Sequence, residues 1–281
     1  MKIVFSRKGF DSGSGGCPSP IFPDGRLLSL PIPHKYSPIA YKNIFFDEFN
    51  VGEIVESLTK GKRPSHHFAH LDPDINPASI SRHPDWQPIF GQSGIAQKHL
   101  INQGVSAGDL LLFFGLFQEI IVENGKFTFN SKTSPKHVIW GWFQIEKGIP
   151  VDQIDKKKFD WAMYHPHFHG KAEDFNTIYI AKKNLDFPQL SDKSISGAGI
   201  FPFFVDKLQL TAPDSSSSLW KLPLCMSPRN GVSQLSYHKK LERWEMFDDY
   251  VLLQTVGRGQ EFVFDSLDYP EAIDWIGNLF I

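Results

Sequence analysis

Hydrophobic residues occur along this chain mostly in short runs that are interrupted by glycine and proline, and most of these runs have the spacing or length of β-strands. The segments predicted to be strands are, in order, MKIVF, GDLLLFFG, KFTFN, HVIWGWFQIEKGIPV, FNTIYIAKK, GIFPFF and DKLQLTAP. A hairpin is predicted in SPIFPDGRLLSLPIP, because Pro-Asp-Gly lies between two apolar stretches. The high aromatic content supports the same interpretation, since aromatic side chains favour strands.

Four segments instead have the apolar spacing of helices. They are residues 42–60, with a stop at Gly61, the segment SGIAQKHLINQGV, capped by Ser93, and near the end YHKKLERWEMF and YPEAIDWIGNLF. The residues predicted to face inward are Phe49, Ile54, Val55 and Leu58 in the first helix and Ile95, Leu100 and Ile101 in the second. Residues 61–91 are polar and rich in proline and histidine, and their aromatic residues predict an ordered loop.

Length and composition limit the classes of protein that the chain can belong to. We expect the 281 residues to form one elaborated domain, 1–281, with a sizeable core. The net charge of -2 provides no general attraction to polyanions, so any contact with nucleic acid requires a local basic surface. Cys17 and Cys225 are too few for a disulfide framework. The apolar runs are too short to span a membrane and no signal peptide is evident, so we expect a cytoplasmic protein.

The middle of the chain, at about residues 90–185, resembles the PUA-like barrels, a group that includes the EVE, ASCH and SRA domains. The resemblance lies in QGVSAGDLLLFFG, followed by KHVIWGWFQIEKGIPV. It implies an α+β fold in which a mixed or antiparallel PUA-like β-barrel core carries helical and loop elaborations. Members of this group often hold a modified or flipped base in an aromatic pocket.

A second resemblance covers nearly the whole chain. Motifs in the order MKIVFSRKGFDSGSGGCPSPIFPDGRLLSLPIP, HLDPDI, GQSGIAQKHL, GDLLLFFG, FNTIYIA, LWKLP and GRGQEFV are similar to the third of the nucleotide-modification-associated domain families. Such families are associated with enzymes that make, recognise or attack hypermodified bases in phage DNA. The resemblance therefore implies modified DNA as the partner, and it does not specify a reaction.

The glycine-rich segment SRKGFDSGSGGCPSP follows the first predicted strand and contains the main candidate residues. Arg7 and Lys8 provide charge for a phosphate beside a possible anion-binding nest. The spacing matches neither a P-loop nor a dinucleotide fingerprint. Asp11 is the one carboxylate, and a carboxylate near a sugar C1′ stabilises glycosidic cleavage; alternatively, Asp11 pairs with Arg7 or caps a turn. The further residues predicted to contact substrate here are Phe10, Ser12, Gly15 and Gly16.

The segment GRGQEF provides the second candidate set. Gln260 and Glu261 offer an amide and a carboxylate for a base edge, and Arg258 lies between two glycines. An ordinary strand start with solvated charges explains the same pattern. Gln92, in GQSGIAQKHL, is added to the substrate-binding set.

Histidines and tryptophans complete the candidates. His66, His67 and His70 lie near Asp72 and Asp74, while HPHFH would place three imidazoles on one face if it were a strand. Without a fixed partner motif such as HExxH, we expect no metal, and we expect the histidines to bind phosphate or base or to satisfy loop backbone. We select His165 from this group, and Trp140 and Trp142 as stacking partners for a flipped base.

These residues lead to the hypothesis of a DNA glycosylase without a cofactor that flips out a hypermodified base and hydrolyses its N-glycosidic bond. Asp11 would be the principal catalytic carboxylate, with Lys8 and Glu261 assisting. Two alternatives stay open, namely a non-enzymatic reader of modified bases and a nucleotide or sugar group transferase acting on modified DNA. Protein partners are not predicted.

Overall fold

A computed structural model describes residues 1–257 and 259–281 of the chain. The strands are β1 (Lys2–Arg7), β2 (Ser19–Ile21), β3 (Phe45–Phe46), β4 (Phe49–Asn50), β5 (Ile89–Gln92), β6 (Leu110–Glu123), β7 (Lys126–Phe129), β8 (Lys136–Pro150), β9 (Thr177–Ala181), β10 (Ala198–Ile200), β11 (Leu219–Pro223), β12 (Trp244–Met246), β13 (Tyr250–Gln254) and β14 (Glu261–Asp265). The α-helices are α1 (Val51–Leu58), α2 (Gly94–Asn102) and α3 (Ala272–Leu279).

One nine-stranded sheet organises the fold. Its main path runs β14-β1-β6-β8-β9-β5, while β10 pairs with β8 and both β2 and β7 pair with β6. Most pairs are antiparallel, whereas β6 is parallel to β1 and to β2. The predicted α+β class is therefore confirmed. The PUA-like barrel is not confirmed, because a barrel requires the end strands to pair and, within the described residues, β14 and β5 end an open path.

Most of the predicted strands form where their apolar runs predicted them. The runs MKIVF, GDLLLFFG, KFTFN, HVIWGWFQIEKGIPV and FNTIYIAKK overlap β1, β6, β7, β8 and β9. Most buried side chains of β1, β6 and β8 belong to the largest core cluster, whereas Phe127 of β7 belongs to a second cluster. GIFPFF forms a strand only at its start, as β10. DKLQLTAP is not a strand; it begins with a 3-10 turn, Asp206–Leu208, and still buries Leu208 and Leu210.

The helix predictions were correct in part. α1 begins only at Val51, because residues 45–50 pair as the short hairpin β3–β4 and the Asn50 side chain caps the helix by accepting from the Gly52 amide. α2 forms, but Ile95 and Ile101 are 85% and 52% exposed, so their predicted inward orientation was wrong.

The buried face of α2 is instead occupied by Gln97 and Leu100, and Gln97 exchanges hydrogen bonds with the Tyr179 hydroxyl. Periodicity alone misses such a polar buried position. The segment YHKKLERWEMF is not a helix, because Trp244–Met246 pairs with β13, whereas α3 confirms the last predicted helix.

The sheet brings three strand ends to one place. The end of β1 lies beside the start of β14, with Ser6 opposite Glu261, and β5 ends at Gln92, whose side chain contacts Glu261. These strand ends form one part of the candidate site, and loops from other parts of the chain form the rest. No helix in residues 1–257 or 259–281 is long and apolar enough to cross a membrane.

Candidate functional site

A polar cavity of about 370 Å³ lies where these strand ends meet four loop segments, at about residues 8–14, 32–34, 70–72 and 166–176. Its lining residues are Arg7, Lys8, Gly9, Asp11, Ser14, Ile32, His34, His70, Asp72, Gln92, Ser93, Pro166, His167, His169, Lys171, Glu173, Asn176 and Gln260. The volume lies within the range of small-molecule sites. The lining contains cationic, anionic and imidazole side chains, but no phenylalanine, tyrosine or tryptophan.

A buried carboxylate holds the lysine of the cavity wall. Glu261 is 1% exposed, and its Oε1 lies 3.4 Å from Lys8 Nζ. The same oxygen accepts hydrogen bonds from Ser6 Oγ at 3.1 Å and Gln92 Nε2 at 2.5 Å. The Lys8 ammonium also lies 4.7 Å from the ring centre of Phe90. Glu261 therefore lies directly behind the wall, where it neutralises Lys8 and orients Gln92.

Asp11 both caps a turn and lines the cavity. Its Oδ1 accepts hydrogen bonds from the backbone amides of Gly13, at 2.8 Å, and Ser14, at 2.6 Å. Two amides of the predicted anion-binding nest are thus directed at the protein's own carboxylate. Gly15 has a φ of +101°, and a Cβ there would lie 2.3 Å from the Phe10 ring, so glycine is required at this position.

Arg7 anchors the start of the same segment. Its backbone amide donates to the Gln260 carbonyl at 2.8 Å, and its guanidinium lies 5.7 Å from the ring centre of Phe114. Burial lowers the pKa of Arg7, and the nearby charge of Asp11 opposes that shift. The cation is therefore held against the wall and partly removed from water.

The cavity lining also contains a cluster of two histidines and one aspartate. Asp72 Oδ2 lies 3.7 Å from His70 Nε2 and 3.8 Å from His167 Nε2. Burial lowers the pKa of His70 to about 3 and also lowers the pKa of His167, with Asp72 opposing both shifts. Burial thus disfavours the charged form of both rings, while the Asp72 carboxylate favours it.

Two further residues hold this cluster in place. Asn176 accepts from His167 Nδ1 at 2.6 Å and donates to the His167 carbonyl at 2.9 Å. His165 is fully buried behind Asp72, with its Nε2 3.2 Å from Asp72 Oδ1. The HPHFH segment is not a strand: Pro166–Phe168 is a 3-10 turn. His165 and His167 nevertheless both approach Asp72, whereas His169 Nε2 donates to the Met163 carbonyl.

The structure places the sequence-predicted site residues in three settings. Those lining the cavity are Arg7, Lys8, Asp11, Gln92 and Gln260, and those behind its wall are Glu261 and His165. Ser12 and Gly16 are exposed in the glycine-rich loop, and Gly15 is buried against Phe10. Arg258 lies outside the described residues.

The three predicted aromatic contacts lie in packed regions away from the cavity lining. Phe10 is fully buried with its ring edge-on to Tyr41, and Trp140 stacks on Phe113. Trp142 donates to the Ser196 carbonyl and packs between two other aromatic rings. The flat surfaces that the cavity offers are imidazoles.

Sequence reasoning did not select several residues of the cavity. His70, Asp72 and His167 belong to clusters that the sequence showed, yet nothing in their spacing indicated that residues about a hundred positions apart converge. His34, Lys171 and Asn176 had no recognisable signal. Only the meeting of the loops in the folded chain identifies them.

The fold and the site thus define an α+β protein with a charged, histidine-rich cavity at the ends of its strands. The chain matches the nucleotide modification associated domain 3 family over residues 2–265 and belongs to that family. The resemblance predicted from the sequence motifs is confirmed, and membership is consistent with a role on modified DNA. No curated protein and no solved structure matches the chain significantly.

Proposed function

We propose that this protein is a DNA glycosylase that removes a hypermodified base by hydrolysing its N-glycosidic bond. The observation that carries the proposal is the meeting of Asp11 and the Lys8–Glu261 pair at one cavity. In the reaction, a water oxygen bonds to C1′ of the sugar, the bond from C1′ to the base nitrogen breaks, and the base leaves with a proton. The products are the free base and an abasic site.

Asp11 is the carboxylate suited to act at C1′. It lines the cavity, and the two amides that hold Oδ1 fix the side chain in one orientation. A fixed carboxylate stabilises positive charge that develops on the sugar and orients an attacking water. Arg7 lines the cavity on the same segment, and its guanidinium would hold a phosphate beside that sugar.

Lys8 is suited to assist the leaving base. Removal of a base as an anion is slow, and an ammonium group close to the departing nitrogen or an exocyclic oxygen stabilises the negative charge. Glu261 has no direct opening to the cavity, so in this proposal it is a positioning residue that holds Lys8 and Gln92. Gln92 and Gln260 provide amide groups for the base edge.

The cavity accommodates a base that has been flipped out of a duplex. Its volume of about 370 Å³ leaves room for a base with a substituent, and His34, His70 and His169 provide imidazole faces for stacking. Excision of hypermodified bases damages phage genomes that carry them, so we place the activity in defence against such phage. That role rests on the family's association with nucleotide modification.

To test the proposal, the purified protein is incubated with DNA duplexes that contain either hypermodified or unmodified bases. Abasic sites are then detected as strand breaks after treatment with alkali. We expect breaks only in the modified DNA. Asp11→Asn keeps an oxygen acceptor for the two turn amides and removes the charge, so its rate should fall by about 100-fold or more while the fold is kept. Asp155→Asn is the matched control and should retain activity, because the exposed Asp155 carboxylate likewise accepts from a turn amide, that of Lys157, and is not among the residues that line the cavity.

Two outcomes would support the alternatives. Tight binding of modified DNA without abasic sites, unchanged in Asp11→Asn, would make the protein a reader. A modified product that forms only after addition of a nucleotide or sugar donor would make it a transferase. Either result would refute the glycosylase.

A further inference from the structure

We propose that His70, Asp72 and His167 form a binding site for one divalent transition-metal ion at the cavity wall. One donor atom from each of the three residues lies within 4.8 Å of the others. The inference concerns binding of the ion alone and stands whether or not the protein cleaves a glycosidic bond. It replaces the expectation, drawn from the sequence, that the chain has no metal.

The distances fit a metal ion after a small contraction. Ligands about 2.1 Å from a tetrahedral ion are separated from one another by about 3.4 Å. The observed separations of Asp72 Oδ2 from the two Nε2 atoms are 3.7 and 3.8 Å. Side-chain rotations of a few tenths of an ångström would bring each histidine Nε2 to that separation from Asp72 Oδ2, and the donor atoms of the two histidines already lie within 4.8 Å of each other.

Hydrogen bonds determine which nitrogen of His167 faces the carboxylate. The Asn176 Nδ2 group donates to the His167 carbonyl, so the amide oxygen is the atom that meets His167 Nδ1 at 2.6 Å. An oxygen acceptor requires a proton on Nδ1, and a neutral ring then presents the lone pair of Nε2 to Asp72 Oδ2. An Nε2 lone pair that faces Asp72 Oδ2 in a buried site repels the carboxylate oxygen, and either a proton or a metal cation between the two atoms relieves that repulsion.

The arrangement around His167 is the one that metal-binding histidines adopt. Such a histidine usually donates its second ring N–H to an oxygen acceptor, which fixes the tautomer and the ring orientation. Asp72 is similarly held, since its Oδ1 accepts from the Gly91 amide at 2.6 Å while Oδ2 stays directed at the two histidines. His70 Nδ1 is buried and has no hydrogen-bond partner in residues 1–257 and 259–281.

The donor set indicates the class of ion. Two imidazoles and one carboxylate suit Zn²⁺ or Fe²⁺, whereas Mg²⁺ prefers oxygen ligands. All three residues line the cavity, so a bound ion would keep an open position toward any ligand there. The site is thus built as an open one, not as a closed structural one.

Isothermal titration calorimetry of ZnCl₂ into the full chain, stripped of metal by a chelator, tests the proposal. We expect binding of about one Zn²⁺ per chain, and with MgCl₂ no binding at the same concentrations. His70→Ala should abolish the Zn²⁺ signal. His66→Ala removes an exposed imidazole from the same loop and should leave it unchanged.

If circular dichroism shows that His70→Ala does not fold, a second variant still tests the proposal. Asn176→Ala leaves all three ligands in place but removes the acceptor for His167 Nδ1, and should weaken Zn²⁺ binding by about 10- to 100-fold. The proposal is overturned if the wild-type chain binds no stoichiometric Zn²⁺. It is equally overturned if His66→Ala weakens binding as much as the variants in the cluster.

Discussion

The ion pair between Lys8 and Glu261 leads to a prediction about stability. The effect of Glu261→Gln on the unfolding free energy should have one sign when Lys8 is present and the opposite sign when its charge has been removed. Lys8→Met keeps the length of the side chain and removes its charge, so Glu261, at 1% exposure, loses its only cationic neighbour within 4 Å in the described residues. Removing one partner of a buried pair typically costs about 3–5 kcal/mol. The hydrogen bonds from Ser6 and Gln92 remain, so we expect the lower end, about 3 kcal/mol of unfolding free energy.

The reverse substitution is expected to cost less. Glu261→Gln keeps the shape and an oxygen acceptor, and the Lys8 ammonium that it leaves unpaired still reaches the cavity, so the loss should be about 1–2 kcal/mol. In the Lys8→Met background, Glu261→Gln removes the stranded charge. There it should restore about 1–2 kcal/mol, so the same substitution changes sign.

Equilibrium unfolding in urea measures these values for the wild type, the two single variants and the double variant. Equal m-values would show that the four proteins expose a similar surface on unfolding. Lys171→Met, at an exposed lysine of the same cavity, is the matched control and should change stability by less than about 0.5 kcal/mol. Additive losses in the double variant would show that the two charges do not interact and would refute the description of the cavity wall.

Three further predictions concern the surroundings of the site. Gly15→Ala should lower the unfolding free energy by about 1–3 kcal/mol more than Gly16→Ala, because both glycines have a positive φ but only a Cβ at Gly15 would meet an aromatic ring. Equal losses of unfolding free energy in urea would contradict this. Arg82→Ala should lower the unfolding free energy by about 3–5 kcal/mol, because it leaves the fully buried Asp74 carboxylate, 2.6 Å from Arg82, without its cationic partner. A loss below about 0.5 kcal/mol would show that this ion pair does not stabilise the fold. Burial raises the pKa of the Cys17 thiol from 9.0 to about 11. The contribution of this buried thiol to the unfolding free energy should therefore be complete below pH 9 and be lost as the pH rises toward 11. Iodoacetamide should also alkylate Cys17 more slowly in the folded protein than in the unfolded one. Equal alkylation rates would refute that shift.

Local patterns predicted the central strands well, since their apolar runs are buried on both sides and leave little choice of conformation. The strands β6 and β8 have 14 and 15 residues, and the glycines within their apolar runs do not end either strand. Tertiary contacts decided the elements that were wrong. Trp244–Met246 is a strand because β13 lies beside it, although its neighbours have helical spacing.

The site was less predictable than the fold. The glycine-rich segment after β1 was identified from composition, and Lys8 and Asp11 do line a cavity. The partner of Lys8, Glu261, lies more than 250 residues away, and antiparallel pairing of β1 with β14 brings it there. The choice of Trp140 reflected the usual role of aromatic residues at base-binding sites, whereas here its ring completes the core.

Mass spectrometry of the small molecules released from hypermodified DNA tests the central claim most directly. The account predicts that the wild-type protein releases the intact modified base in amounts equal to the abasic sites formed, and that Asp11→Asn releases almost none. In ¹⁸O-labelled water, one labelled oxygen should appear at C1′ of the abasic sugar. Release of a modified nucleotide instead of the free base, or no release while DNA remains bound, would contradict cleavage of the N-glycosidic bond.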